Sequence, residues 1–191
     1  MILAATIISR LFEPFFLLFL LILLTALRAD ITGWNLVYMM VSIIGVVFVP
    51  PIVLLLWAIR SKKISDWDIS NQRQRVNALA IFLFIFAIDM IIIRMMNMVS
   101  MTTLFLFFLI TFIGIFCVTL FWKISGHLSI AMIFAGVLIH WYGWGWWPLL
   151  LVLPVLVWSR IILKRHTIRQ TIGGILFGMA MVVLAITRGL I

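Results

Sequence analysis

The sequence predicts an all-α integral membrane protein, a polytopic bundle of six or seven transmembrane helices that forms one domain over residues 1–191. Hydrophobic residues make up 66% of the chain and charged residues only 10%, and the mean hydropathy is +1.34. A soluble protein this apolar could not cover its surface with polar groups. Within lipid the backbone must satisfy its own hydrogen bonds, which favours helices.

Five apolar stretches are long enough to cross a membrane as single helices. The second contains a proline pair at positions 50 and 51, which should kink it. The last contains glycines at positions 173, 174 and 178, which allow close contact with another helix. The predicted spans are residues 11–27, 34–59, 76–94, about 98–122 and about 167–186.

Two shorter apolar stretches, residues 128–140 and 147–158, are joined by an aromatic segment at 141–148. Each is about half as long as a comfortable span. They become two further spans if residues at their other ends lengthen them, or they form one shallow hairpin. The tryptophans of the joining segment are typical of a belt at the membrane interface.

Two acidic residues lie inside or beside the predicted spans. Glu13 and the following Pro14 suit the first turn of a helix, where an acid complements the helix dipole and proline lacks only an N–H that would be unpaired. Asp89 lies well inside the third span, and an intramembrane acid is a functional candidate by default. Its distance from the polar clusters favours a structural partner such as Arg28, or a protonated carboxyl.

The polar segments between spans indicate one functional face. Segments 60–75, 123–127 and 159–170 follow two, four and six predicted crossings, so they lie on the same side of the membrane. Eleven of the 14 lysines and arginines fall on that side, which the positive-inside rule assigns to the cytoplasm. We therefore expect a prokaryotic plasma membrane protein whose partner is the bilayer. Its net charge of +9 is explained by membrane orientation and by contact with anionic lipid headgroups, so nucleic acid is not an expected partner.

The three polar segments contain groups that can bind and process phosphate. The second is Ser125-Gly126-His127, and in the third Ser159-Arg160 is followed after five residues by His166. Arginine offers a two-pronged fork to phosphate oxygens, and a neutral histidine can attack phosphorus or shuttle a proton. The alternative interpretation is a set of basic loops that only fix topology.

This order and spacing resemble the type-2 phosphatidic acid phosphatase superfamily of membrane lipid phosphatases. The motifs of that family read Lys-x6-Arg-Pro, Pro-Ser-Gly-His and Ser-Arg-x5-His-x3-Asp. The second and third match here, with Ile124 in place of proline and Gln170 in place of aspartate. The first matches poorly, because Asp68 stands where lysine should be and Val76 follows Arg75. The third motif is also similar to that of polyprenyl- and dolichyl-diphosphate phosphatases.

The resemblance implies a role for each matched residue. His166 would be the nucleophile that forms a phosphohistidine, and His127 the general acid that protonates the leaving oxygen. The phosphoryl oxygens would be held by four groups that can donate hydrogen bonds. These belong to Arg160, Arg75, Ser125 and Gly126.

The departures from the family pattern imply substitutes for the missing residues. Lys123 or Lys63 could take the place of the lysine absent from the first motif. Gln170 lies four residues after His166 and can reach its ring, but a neutral amide does not supply the charge of a carboxylate. Asp66 or Asp68 could supply that charge. The resemblance implies no cofactor and no metal, and the chain has only five carboxylate side chains.

The expected substrate is a phosphatidate-type lipid or a prenyl diphosphate. Two alternatives retain the site without hydrolysis. A catalytically weak relative would bind or transport phospholipids, and a phosphotransferase would pass the phosphoryl group to an acceptor other than water. A small multi-pass transporter without such a site is a third, although no inverted repeat is evident. The oligomeric state does not follow from the sequence.

Overall fold

The computed structural model describes residues 1–29, 31–64, 69 and 71–191. Within these ranges the secondary structure is entirely helical, which confirms the predicted all-α fold. Asp66 and Asp68, which the sequence suggests as substitutes for a catalytic carboxylate, lie outside the described residues.

The described residues form nine α-helices, and those at Gln72–Met95, Val99–Phe121 and Ile168–Thr187 follow the predicted spans closely. The predicted span 34–59 is instead divided into two helices by a π turn, and the short stretch predicted at 147–158 belongs to a span-length segment, Trp144–Ile162. A π-helical turn, Ile44–Phe48, joins α3 to α4 without a break, and a 3-10 segment, Trp144–Leu151, precedes α8. The π turn directly precedes the proline pair in the first turn of α4, where a kink was expected. The helices are α1 (Ile2–Leu11), α2 (Pro14–Arg28), α3 (Gly33–Ile43), α4 (Val49–Arg60), α5 (Gln72–Met95), α6 (Val99–Phe121), α7 (Gly126–Tyr142), α8 (Val152–Ile162) and α9 (Ile168–Thr187).

Over the part of the chain that the structure describes, five helical segments are long and apolar enough to cross a membrane. The protein is therefore an integral membrane protein. Three shorter apolar helices, α3, α4 and α7, accompany the long segments, and the total of six or seven crossings stays a prediction. The long segments are Ile2–Arg28, Gln72–Met95, Val99–Phe121, Trp144–Ile162 and Ile168–Thr187.

The beginning of the chain differs from the prediction. Helix begins at Ile2 and not at residue 11, and it is interrupted between Leu11 and Pro14. Proline disfavours helical geometry in the residue before it and cannot donate a backbone hydrogen bond, so Pro14 starts a new helix. Glu13 therefore lies in the break that precedes α2.

The chain divides into two compact units. The first, which we call unit 1, consists of residues Met1–Leu21 and Lys123–Ile191. In it α7 packs along α9, and α1 packs along α8. Gly174 and Gly178 face backbone carbonyls of α7 and of the residue before it, so the two helices approach closely there. A Cβ added at Gly174 would lie 2.6 Å from the Ser125 carbonyl oxygen, and one added at Gly178 would lie 2.5 Å from that of Ser129.

Unit 2 consists of Ile22–Trp122 and contains the α5–α6 hairpin. Aromatic rings fill the contact between these helices. The ring of Phe86 stacks on Phe105 at 5.2 Å and meets Phe112 edge-on at 5.2 Å. Asp89, one turn from Phe86, is fully buried, and neither of its carboxylate oxygens has a hydrogen-bond partner among the described residues. The expected hydrogen bond from Arg28 to Asp89 is therefore not present in the described structure.

Candidate functional site

The second motif forms the N-terminus of α7. Ser125 is the N-cap residue, and Gly126 and His127 are the first two residues of the helix. The first backbone N–H groups of a helix have no carbonyl acceptor within it, which favours a bound anion. The side chain of Ser125 is fully buried, and its hydroxyl oxygen makes no hydrogen bond within the described structure. A buried hydroxyl of this kind leaves hydrogen-bonding capacity for a ligand.

The third motif starts α9 with a capping box. The backbone N–H of Thr167 donates to the Gln170 side-chain oxygen at 3.1 Å, and the Gln170 N–H donates back to the Thr167 hydroxyl at 3.3 Å. A backbone N–H can only donate, so the Gln170 atom that faces it must be the carbonyl oxygen. Local helix-start geometry therefore fixes the orientation of the Gln170 amide.

That orientation determines the tautomer of His166. The His166 Nδ1 lies 3.3 Å from the same Gln170 oxygen, and the ring is largely buried. Because the Gln170 oxygen can only accept, a neutral imidazole makes this hydrogen bond only if Nδ1 carries the ring proton. The lone pair is then on Nε2. The expected contact between Gln170 and His166 is present, with the amide as acceptor.

Backbone contacts join the second and third motifs. The N–H of Ser125 donates to the Gln170 carbonyl at 3.1 Å, and the N–H of His166 donates to the Arg160 carbonyl at 3.4 Å. The Lys123 ammonium donates to the Arg165 carbonyl at 3.1 Å, next to His166. Unit 1 thus brings together seven of the nine residues predicted for the site. These are Lys123, Ser125, Gly126, His127, Arg160, His166 and Gln170.

Arg160 is held by the N-terminal helix, a contact that the sequence did not indicate. Its side chain is 1% exposed, and Nη1 donates to the Ser9 hydroxyl at 2.6 Å. The neighbouring Ser159 hydroxyl donates to the Ala5 carbonyl at 2.6 Å. These two hydrogen bonds attach α1 to the segment of α8 that bears the candidate phosphate ligand.

Glu13 is a second site residue that the sequence missed. Its Oε2 lies 3.8 Å from His127 Nε2 and 3.1 Å from Arg10 Nη1. The sequence alone indicates only a helix-dipole role for Glu13, whereas the structure places it beside the candidate general acid. A carboxylate within a long apolar segment was the available signal, because such a residue is costly and tends to be functional.

The remaining two predicted residues belong to unit 2. Lys63 is exposed, and its Nζ lies 4.1 Å from the centroid of the Trp57 ring, in cation–π contact. Arg75 is half-buried in the first turn of α5. That turn is capped by the Asn71 side chain, which accepts from the N–H groups of Arg73 and Gln74.

Fold and site together define an all-α integral membrane protein with two histidines, an arginine and a carboxylate clustered at helix ends. No group of three or more His, Cys, Asp and Glu side chains suited to a metal ion occurs in the described ranges. Comparison with known protein families, curated proteins and solved structures gave no match.

Proposed function

We propose that the protein is a membrane phosphatase that hydrolyses a lipid phosphomonoester or a prenyl diphosphate through a phosphohistidine. The observation that carries this proposal is the arrangement of Thr167, Gln170 and His166. It assigns the ring proton of a buried histidine to Nδ1 and therefore the lone pair to Nε2, the atom that would attack phosphorus. A histidine that served only topology would need no such control of its tautomer.

Phosphate binding is supported by three groups of unit 1. The N-terminus of α7 offers its first N–H groups, and the buried Ser125 hydroxyl lies beside them. Arg160 adds a permanent positive charge and several donors, one of which is engaged by Ser9. These groups would hold the nonbridging oxygens and stabilise the charge that develops on them in the transition state.

The proposed reaction has two steps. His166 Nε2 attacks phosphorus, the bond from phosphorus to the leaving oxygen breaks, and protonated His127 gives its proton to that oxygen. Water then attacks the phosphohistidine, neutral His127 takes a proton from the water, and inorganic phosphate leaves. Both histidines return to their starting states. With a prenyl diphosphate, the first leaving group is the prenyl monophosphate.

The neutral amide of Gln170 should limit the rate of catalytic turnover. It orients the His166 ring but supplies no negative charge to stabilise the positive ring that forms on attack. We therefore propose slow turnover.

The same observation favours one alternative function. In this alternative the protein is a relative that uses these cations to bind or transport phospholipids and catalyses no reaction. The apolar tail would lie between helices, and we place the site on the cytoplasmic face of a prokaryotic plasma membrane from the charge distribution alone.

The test is phosphate release by the purified protein in detergent, with EDTA present. The lipids are phosphatidic acid, phosphatidylglycerol phosphate and a prenyl diphosphate. We expect EDTA-resistant release that falls by about 10³-fold or more in His166→Ala and about 10²-fold or more in His127→Ala. The matched control is His140→Ala, because His140 is exposed at the other end of α7.

The intermediate gives a second readout. A phosphohistidine contains a P–N bond, so phosphate bound to the trapped protein should be lost in acid and retained in alkali, and absent from His166→Ala. Release that persists in His166→Ala would refute the mechanism. A folded protein that releases no phosphate from any lipid would refute the phosphatase proposal, and lipid transfer between vesicles would then test the binding alternative.

A further inference from the structure

The break between α1 and α2 places a carboxylate next to His127. Helix α1 ends at Leu11, and α2 begins at Pro14. The Glu13 carbonyl accepts from the N–H groups of Phe16 and Leu17 at 3.0 and 3.1 Å, so the Glu13 backbone belongs to the start of α2. Helix geometry therefore fixes the main chain of Glu13. The side chain of Glu13 is mostly buried, with 18% of its surface exposed.

The segment that contains Glu13 is attached to α8 at two points, and an ion pair within the segment holds the carboxylate. Ala5 accepts from Ser159 and Ser9 accepts from Arg160, both at 2.6 Å. Arg10, in the last turn of α1, pairs with the Glu13 carboxylate at 3.1 Å. The position of Glu13 relative to His127 is therefore set by contacts to α8 within unit 1.

The separation of 3.8 Å between Glu13 Oε2 and His127 Nε2 is an ion-pair distance and exceeds that of a hydrogen bond. An ionised Glu13 at this distance favours the protonated form of His127, which is the form that a general acid needs. Arg10 places a second positive group at ion-pair distance from the same carboxylate, 3.1 Å from Oε2. In the described part of the chain, Nδ1 of His166 faces the neutral Gln170 amide, and the Glu13 carboxylate faces His127.

We propose that Glu13 is the positioning residue of the general acid, holding His127 protonated and oriented for transfer of its proton to the leaving oxygen. This inference rests on the proposed phosphatase function. Glu13 stays ionised throughout: the proton moves from His127 to the oxygen of the departing alcohol or phosphate. When His127 later takes a proton from the attacking water, Glu13 again stabilises the charge that forms.

The dependence of rate on the leaving group separates this role from a structural one. A dialkylglycerol phosphate has a poor leaving group that requires protonation, whereas p-nitrophenolate leaves without help. The experiment compares kcat/KM on both phosphates for the wild type, Glu13→Gln, His127→Ala and His166→Ala. This ratio reports the step in which the leaving group departs and not the later hydrolysis of the phosphohistidine. Glu13→Gln preserves side-chain size and removes only the charge.

We expect Glu13→Gln to lower kcat/KM on the alkyl phosphate by about 10- to 100-fold, and on p-nitrophenyl phosphate by less than about threefold. His127→Ala should show the same pattern more strongly, and His166→Ala should lose both activities. In the His127→Ala background, Glu13→Gln should have no further effect, because Glu13 acts through His127. Glu13→Asp, which keeps the charge on a shorter arm, should give an intermediate loss confined to the alkyl phosphate.

Equal losses on both substrates in Glu13→Gln would show a structural role and overturn the inference. Wild-type activity of Glu13→Gln on the alkyl phosphate would also overturn it. If Glu13→Gln does not fold, Glu13→Asp decides in the same way by its leaving-group pattern. A folded wild-type protein that hydrolyses neither phosphate would overturn the phosphatase function and this inference together. An active wild type with an unaffected Glu13→Gln would overturn this inference alone.

Discussion

Replacing Gly174 with alanine tests whether the contact between α7 and α9 sets the geometry of the site. The added Cβ would lie 2.6 Å from the Ser125 carbonyl oxygen and 3.3 Å from the Leu128 Cβ. Ordinary carbon–oxygen contacts are about 3.3–3.6 Å, so one helix must move by about 0.7–1 Å. The carbonyl cannot turn away without loss, because it accepts from both the N–H and the hydroxyl of Ser129 at 3.0 Å.

The displaced helix is the one that carries Gln170 and begins just after His166. Overpacking costs about 1–3 kcal/mol of folding free energy, and the better helix propensity of alanine returns up to about 1 kcal/mol. The net loss of stability should therefore be at most about 3 kcal/mol. A misplacement of about 1 Å can lower the rate by about 10²-fold, so kcat/KM should fall by about that factor in a protein that is still folded.

The assay is phosphate release, with thermal unfolding in the same detergent. Gly136→Ala is the matched control in the same helix pair, since its Cβ would also be overpacked, at 2.9 Å from the Val182 side chain, but against no backbone atom of the site. Gly145→Ala, with no atom within 4 Å, controls for the substitution itself. Gly174→Ala with wild-type kcat/KM would show that the site tolerates this displacement, and our account of the helix contact would fail.

Two further predictions concern contacts that support the site. Ser9→Ala removes the acceptor of a buried Arg160 hydrogen bond, so the free energy of unfolding should fall by about 1–3 kcal/mol. Thermal or denaturant unfolding measures this change, and an unchanged stability would mean that Arg160 does not depend on α1. Lys123→Met keeps the length of the side chain but removes the donor to the Arg165 carbonyl, so stability should fall by about 0.5–1.5 kcal/mol. A variant as stable as the wild type would contradict a structural role for Lys123.

Local features of the site were predictable because their partners are close in sequence. Gln170 reaches His166 across one helical turn, and the capping box needs only Thr167 and Gln170. The spans α5, α6 and α9 were predictable for a similar reason, since uninterrupted apolar length determines them. These properties depend on segments of about 20 residues, which the sequence shows directly.

The N-terminal contribution was not predictable, because it depends on tertiary packing. The charge of Glu13 marks it as a candidate, but its partner becomes evident only when α1 packs on α8 and α7 begins beside Glu13. Pro14 indicates the start of α2, whereas the sequence does not show that another helix precedes it. Only the fold shows that the break between these helices presents a carboxylate to His127.

The capping box at the start of α9 has a consequence for how this site could change over evolutionary time. Glutamate serves as well as glutamine at the third position of such a box, because either side chain offers an oxygen to the N-cap N–H. A carboxylate could therefore enter at Gln170 in one substitution without disturbing the start of the helix. The start of α9 therefore does not require an uncharged side chain at position 170. Selection can change the charge beside His166 without affecting folding.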